Sequence, residues 1–314
     1  MLSNAIDDKI TEGDKMMNLL ECCNLCPRRC GVNRLEGELG YCGAASSIKV
    51  ARAALHHWEE PCISGSAGSG TVFFSNCNLR CVFCQNNDIS QCSLGKEISI
   101  ERLANIFLEL QDNGALNINL VTPTHYVPQI IAAIDISKGK GLKLPILYNC
   151  SGYENIETIE LLKGYIDVYL PDMKYFNSKY SMKYSNAPDY FSHASKAVRE
   201  MVSQVGPAEF DENGIIKRGV IVRHMMLPGL LFDSKKIIDF IYCTFGDDVF
   251  ISIMNQYTPM HKSEMYPEIN KPLKPEHYDT LIDYALKLGV KNGFIQEDGT
   301  SSKVFIPPFN FEGV

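Results

Sequence analysis

The stretch Asn76-Cys77-Asn78-Leu79-Arg80-Cys81-Val82-Phe83-Cys84-Gln85-Asn86 decides how this chain is read. Its cysteines are spaced C-x3-C-x2-C, with an aromatic residue directly before the last. Three thiolates on one tight loop can hold three irons of a cubane cluster. A 4Fe–4S cluster normally takes four cysteines, so this loop leaves one iron without a protein ligand. An open coordination position is what separates catalytic metal sites from closed structural ones. The bland alternative is three structural cysteines that fall close together. The strand that feeds the loop, and the pattern of the chain beyond it, weigh against that alternative.

The rest of the chain supplies the setting. Its 314 residues suffice for one large domain, or a large one plus a small one. Hydrophobic residues at 45% and charged residues at 21% are ordinary for a globular protein. A net charge of −7 argues against a nucleic-acid or membrane surface. The start, Met1 to Met17, is polar and acidic and lacks the apolar core of a signal peptide. No apolar run reaches the roughly 18 residues of a membrane span. A cytoplasmic location is therefore expected. There, clustered cysteines read as metal or redox ligands rather than disulfides. Seven of the 12 fall into two groups, Cys23/Cys26/Cys30/Cys42 and Cys77/Cys81/Cys84. Cys22, Cys62, Cys92, Cys150 and Cys243 read as small apolar residues.

From Gly70 onward short β-type runs alternate with helical segments. Strands are expected at Thr71–Ser75, Ile118–Val121, Pro145–Asn149, Asp167–Leu170, Gly219–Met225 and Val249–Met254, with a last short one at Gly293–Gln296. Ser99 can cap a helix whose apolar residues Ile100, Leu103, Phe107 and Leu110 recur at helical spacing, with Asn113-Gly114 ending it. Further helices are expected around Val127–Ser137, Ile156–Lys163, Tyr190–Val205, Ser234–Cys243 and Pro275–Leu288. Apolar strands separated by helices mean a parallel sheet with right-handed crossovers. Six such units and a terminal strand predict an α/β fold, a partial TIM-type (β/α)6 barrel over residues 70–314. In such barrels chemistry sits at the C-terminal strand ends. Thr122/Thr124/His125, Asn149/Ser151, Asp172/Lys174, Arg223/His224 and Asn255/Gln256 all follow strands, as does the cysteine loop. Residues 1–69 read as a small cysteine-rich, metal-binding N-terminal extension joined near Gly65.

The cysteine spacing, with Phe83 in its place, resembles the radical S-adenosylmethionine (SAM) superfamily. The strings Cys26-Pro27-Arg28-Arg29-Cys30-Gly31-Val32-Asn33-Arg34, His57-Trp58-Glu59-Glu60-Pro61-Cys62-Ile63-Ser64-Gly65 and Val121-Thr122-Pro123-Thr124-His125-Tyr126 resemble its pyruvate formate-lyase activating enzyme-like branch. The resemblance implies that Cys77, Cys81 and Cys84 ligate a catalytic 4Fe–4S cluster and that SAM chelates the fourth iron. It implies that Phe83 contacts the adenine. Where many members carry Gly-Gly-Glu after the second strand, this chain has Thr122-Pro123-Thr124-His125, whose carbonyls and hydroxyls can accept hydrogen bonds. Asp172 and Lys174 resemble an Asp-x-Lys segment that helps hold SAM, Lys174 on the methionine carboxylate and Asp172 on the amino group or a ribose hydroxyl. Asn149, Ser151, Arg223 and His224 stand where the third and fifth strands offer polar contacts. The implied chemistry is reductive. An external donor of the flavodoxin or ferredoxin type reduces the cluster, SAM is cleaved to methionine and a 5′-deoxyadenosyl radical, and the radical abstracts hydrogen from a substrate.

Cys23-x2-Cys26-x3-Cys30, with Cys42 further on, supplies four soft ligands suited to a structural zinc or a second iron–sulfur cluster. Arg28, Arg29 and Arg34 nearby would offset thiolate charge. Some glycyl-radical activating enzymes place auxiliary clusters after the SAM loop, whereas here the extra cysteines precede the barrel. Three functions follow. The first is an activase of a glycyl radical enzyme. The second is a radical SAM enzyme acting on a small molecule or another protein. The third is a non-catalytic iron–sulfur or zinc protein, which would need neither an open iron nor a ring of polar residues.

Overall fold

The structure, a computed structural model, describes residue 16, residues 18–296 and residues 306–314. The opening stretch Met1–Met17 otherwise lies outside these residues, so its expected polar character has no structural counterpart here. No helix among the described residues is long and apolar enough to cross a membrane.

The strands run β1 (Ile48–His56), β2 (Ser69–Phe74), β3 (Lys96–Ile98), β4 (Ile118–Val121), β5 (Ile146–Cys150), β6 (Val168–Pro171), β7 (Glu209–Phe210), β8 (Ile216–Met225), β9 (Phe250–Met254) and β10 (Gly293–Ile295). Their helices are α1 (Pro61–Ser64), α2 (Asn87–Ser90), α3 (Ile100–Asp112), α4 (Val127–Gly139), α5 (Ile156–Leu161), α6 (Ser178–Ser185), α7 (Tyr190–Val205), α8 (Leu231–Phe245) and α9 (Pro275–Leu288). The sheet order is β10-β9-β8-β6-β5-β4-β2-β1-β3, with β7 paired to β8. From β2 through β10 the pairing along this path is parallel. The sheet ends at β10 and β3 rather than closing, which gives the expected unclosed barrel.

Local chemistry explains these elements. Every residue of β2, β5 and β6 is buried, as parallel strands covered on both faces require. The Ser99 side chain accepts the Arg102 N–H and starts α3, a cap typically worth about 1 kcal/mol. Leu103, Ala104, Ile106, Phe107 and Leu110 then form the buried stripe of that helix.

Side-chain alternation along the strands divides the molecule in two. Tyr148, Cys150, Tyr169, Val220 and Val222 point outward into the main core beneath the helices. Leu147, Val168, Leu170 and Ile221 point inward, where Cys62 and Ile63 of α1 close the lumen from below. Asn149, Asp172 and Arg223 continue those same inward columns toward the C-terminal strand ends.

Beyond the short elements β3, β7, α1 and α2, which the sequence did not mark, two larger features depart from the expected layout. β1 pairs antiparallel with β2, so residues 48–56 of the N-terminal extension belong to the sheet, and Ala44, Ile48, Val50 and Ala53 belong to the main core. Its three alanines and the interposed Lys49 and Arg52 blur the strand alternation in sequence. Helix α6, Ser-Lys-Tyr-Ser-Met-Lys-Tyr-Ser, was also not anticipated, because so few apolar residues mark its buried face.

Candidate radical SAM site

The cysteine loop begins where β2 ends. Asn76 turns the chain with φ 76°, a left-handed conformation that asparagine tolerates better than most residues, and its side-chain amide donates to the Tyr126 hydroxyl at 3.3 Å. Two backbone bonds pin the loop to the end of α6, Arg80 N–H to the Ser185 carbonyl at 3.3 Å and Val82 N–H to the Tyr184 carbonyl at 2.9 Å. Phe83 is buried and meets Tyr257 edge to face, with ring centroids 5.8 Å apart.

Each thiol has a polar neighbour at its sulfur. Leu79 N–H lies 3.4 Å from Cys77 Sγ, Ser185 Oγ lies 3.0 Å from Cys81 Sγ, and Ser90 Oγ lies 3.2 Å from Cys84 Sγ. Burial pushes all three thiols up, Cys81 to about 11. The neighbouring cysteines add to the rise at Cys77 and Cys81, while the Lys174 ammonium opposes it at all three. Among the described residues no three His, Cys, Asp or Glu side chains stand closed around a metal-sized point. The donor chemistry nonetheless fits an iron–sulfur cluster: three thiols on one loop, a donor at each sulfur, and one cation acting on them together.

Beside this loop lies a charged network. Lys174 Nζ pairs with Asp172 Oδ2 at 2.5 Å. Arg223 contacts Asp172 Oδ1 at 3.3 Å and Glu59 Oε2 at 3.1 Å, and also donates to Asn149 Oδ1. Burial works against the Asp172 carboxylate, but Lys174 and Arg223 outweigh it and hold it below its usual range. Tyr190 braces these strand ends. Its hydroxyl lies 2.7 and 2.8 Å from the Ser151 and Asp172 carbonyl oxygens, between which its one proton is shared, and accepts the Lys174 N–H at 2.9 Å. Ser151 Oγ reaches Asn78 Oδ1 at 3.4 Å, which ties β5 to the cysteine loop.

Other expected site residues are placed elsewhere or already engaged. Thr122 has φ 58° and donates its N–H to the Asn149 carbonyl at 2.8 Å. Thr124 Oγ1 is committed to Glu154 Oε1 at 2.8 Å. His125 is buried against β2, its Nε2 bonded to the Ser75 carbonyl at 2.7 Å, and burial lowers its pKa to about 3. His224 alternates with Arg223 and so faces away from the lumen. Its Nδ1 meets the Met173 carbonyl at 2.7 Å, and burial lowers it to about 4. Both histidines are thus neutral at pH 7.

Four residues with evident roles escaped the sequence reading: Glu59, Glu60, Glu154 and Tyr190. The paired carboxylates before Pro61 were visible as a string, but nothing local assigns them to the lumen. Glu154 is buried with its carboxyl pushed up to about 8 by burial, and takes the Tyr148 hydroxyl at 3.3 Å as well as Thr124.

The N-terminal cysteines gather next to the mouth. Burial pushes Cys26 up to about 12, with the charges of Cys42 and Cys23 adding to it. Cys42 is raised by burial too, with Cys23 and Cys30 adding. Tyr41 N–H reaches Cys30 Sγ at 3.2 Å, Ala44 N–H reaches Cys42 Sγ at 3.5 Å, and Arg34 Nη1 stands 3.9 Å from Cys23 Sγ. Arg28 joins the two cysteine groups. Its Nε donates to the Asn78 carbonyl at 2.9 Å and its Nη1 to the Asn186 carbonyl at 2.6 Å.

The Radical SAM superfamily model matches residues 71–241, from β2 through most of α8. The chain belongs to the radical SAM superfamily. It is a radical SAM enzyme by that membership, and members of the family typically use a 4Fe–4S cluster and SAM. An uncharacterized protein of Methanocaldococcus jannaschii, MJ0674, is 32% identical over 280 residues, which cover 86% of this chain and 76% of that protein. Among solved structures, Streptococcus suis SuiB bound to precursor peptide SuiA aligns with a TM-score of 0.49 at 16% identity, over 71% of this chain and 47% of that one. This chain thus spans about half the length of SuiB. The anSMEcpe structure with bound AdoMet aligns with a TM-score of 0.46 at 13% identity, over 70% and 61% of the two chains. A domain of a pyruvate-formate lyase-activating enzyme from Bacteroides vulgatus aligns with a TM-score of 0.40 at 11% identity, over 55% and 92%.

Proposed function

We propose that this chain binds a 4Fe–4S cluster through Cys77, Cys81 and Cys84 and cleaves SAM reductively to attack a substrate in the barrel lumen. The observation that carries this is the C-x3-C-x2-C loop at the end of β2, with the Lys174–Asp172–Arg223 network beside it. When bound, the cluster supplies the electron that splits the sulfonium of SAM into methionine and a 5′-deoxyadenosyl radical, with an external flavodoxin- or ferredoxin-type donor behind it.

The chain's own residues bind and orient. In this reading Lys174 would receive the methionine carboxylate, and Asp172 the amino group or a ribose hydroxyl. Phe83, packed on Tyr257, would contact the adenine, and the Thr122–Thr124 segment would supply backbone carbonyls. Asn149, Ser151 and Arg223 hold the strand ends that frame the mouth. Leu147, Leu170 and Ile221 pack with Cys62 and Ile63 and close the barrel beneath these residues.

The three strings that resemble the pyruvate formate-lyase activating enzyme-like branch support a glycyl radical enzyme as the target. A specific observation favours the second reading, a radical SAM enzyme acting on a small molecule or another protein, in its small-molecule form: beside the mouth lies a cavity of about 390 Å³. Anaerobic incubation with SAM and a candidate glycyl radical enzyme separates the two readings, because an activase leaves a glycyl radical signal on its partner. At Cys23, Cys26, Cys30 and Cys42 we place a second metal, zinc or iron–sulfur, held by four thiols and offset by Arg34. Free thiols at this density suit a reducing, cytoplasmic setting.

A further inference from the structure

Two buried hydroxyls stand behind the cysteine loop, and the binding of SAM as read above uses neither. Ser185 is the last residue of α6, and its hydroxyl donates to Cys81 Sγ at 3.0 Å. Tyr175, between β6 and α6, places its own hydroxyl 2.8 Å from Ser185 Oγ. Both side chains are fully buried. A serine hydroxyl has one proton to give. With that proton turned to the sulfur, Tyr175 is the donor to Ser185, so the order runs from Tyr175 to Ser185 to Cys81.

The sulfur at the end of this chain decides its meaning. A buried hydroxyl without a good acceptor is costly. A thiol sulfur is a weak acceptor, whereas an ionised acceptor makes a charge-assisted bond roughly twice as strong. Tyr175 and Ser185 are therefore best satisfied when Cys81 is a thiolate, the form that ligates metal. The geometry is fixed from both sides. Arg80 N–H meets the Ser185 carbonyl and Val82 N–H the Tyr184 carbonyl, so the backbone of α6 brackets Cys81. Tyr175 is held in turn against Tyr190, edge to face with ring centroids 5.6 Å apart. Leu79 N–H serves Cys77, and the Ser90 hydroxyl lies at Cys84. Only at Cys81, among the described residues, does a second side-chain hydroxyl stand behind the first.

We propose that Tyr175 and Ser185 form a hydrogen-bond relay that sets the reduction potential of the iron–sulfur cluster through Cys81. This rests on the radical SAM reading, because it takes Cys81 as an iron ligand. A hydrogen bond to a ligating sulfur draws electron density from it and so favours the reduced cluster; such bonds are among the factors that set cluster potentials. One electron enters from the external donor, and Ser185 keeps its proton throughout. Tyr175 orients and polarises the Ser185 hydroxyl, since linked hydrogen bonds strengthen one another. Both are positioning residues that ease the uptake of that electron.

The holoprotein is reconstituted without oxygen, and its cluster is titrated potentiometrically with redox mediators and read by electron paramagnetic resonance. Ser185→Ala should make the cluster about tenfold harder to reduce, which for one electron is a potential about 59 mV more negative. Tyr175→Phe keeps the Ser185 hydroxyl and should shift the potential in the same direction by less. Ser185→Thr restores a hydroxyl and should return the potential toward the parent value. A parent-like potential in Ser185→Ala at full iron content would overturn the proposal. So would iron loss in Ser185→Ala as large as in Cys81→Ala, since the serine would then hold the loop rather than tune it. A Tyr175→Phe potential equal to the parent's would remove Tyr175 from the relay. Deoxyadenosine formation is followed in the same samples. SAM cleavage with a potential indifferent to Ser185 sinks the relay alone, and a Ser185-dependent potential without SAM cleavage sinks the radical SAM reading alone.

Discussion

Lys174 is the residue at which the two halves of the site meet. Its ammonium pairs with Asp172 and bears on all three loop thiols. Replacing it with alanine should weaken SAM binding by about tenfold or more, the cost of one charge-assisted contact, while iron content stays near the parent value. Unchanged SAM affinity would remove Lys174 from the site. Cys81→Ala should abolish SAM cleavage and lower iron content yet leave the fold intact, because Cys81 lies on a loop and not in a strand. Full turnover by that variant would refute the cluster assignment. At this scale legibility followed locality. Cys77, Cys81 and Cys84 were readable because their spacing lies within eight residues of chain. Glu59 and Glu60 were not, because their meaning comes from Arg223, Asn119, Asn149 and Ser252 on four separate strands. His125, just after β4, and His224, near the end of β8, were misleading for a related reason: side-chain direction turns both toward carbonyls outside the lumen.

The strand ends are the elements that set the geometry. Ser151-Gly152 shows how tightly. Gly152 has φ 76°, and a Cβ there would stand 2.1 Å from the Asp172 carbonyl oxygen. Gly152→Ala should therefore cost about 1–3 kcal/mol in urea denaturation and also impair SAM binding, since Asp172 must move. Stability without SAM binding affected would mean β5 and β6 are not coupled as drawn. Glu154, in the turn after β5, makes a prediction in pH. Its carboxyl holds a proton up to about 8 in the folded chain, against an ordinary value of 4.5. The folded state therefore binds more protons across that window, and stability falls as pH rises through it. Glu154→Gln cannot ionise, so its stability relative to the parent should rise by more than about 1 kcal/mol between pH about 5 and about 8. A difference flat in pH would show that Glu154 is already ionised. Elements with strong periodicity were read well from sequence. α7 and α9 have the expected bounds, while α6 and β1 were missed because packing, not pattern, defines them.

On the scale of the whole molecule, an unclosed parallel barrel brings residues from β5, β6 and β8 to one mouth, and the N-terminal cysteines pack against it through Arg28. If those cysteines hold a metal, elemental analysis should find metal beyond the cluster iron, and Cys26→Ser with Cys42→Ser should lose that extra metal alone. Identical metal content in the double variant would leave the four thiols without a metal role. The barrel was legible because alternating strands and helices admit few topologies. The cavity was not, since its floor is built by a segment that precedes the first parallel strand.

The most direct measurement is electron paramagnetic resonance on anaerobically reconstituted, dithionite-reduced protein before and after SAM is added, with 5′-deoxyadenosine quantified alongside. A reduced-cluster signal that changes on adding SAM, accompanied by deoxyadenosine that depends on Cys77, Cys81 and Cys84, is the predicted result. A signal indifferent to SAM, with no deoxyadenosine formed, would contradict it.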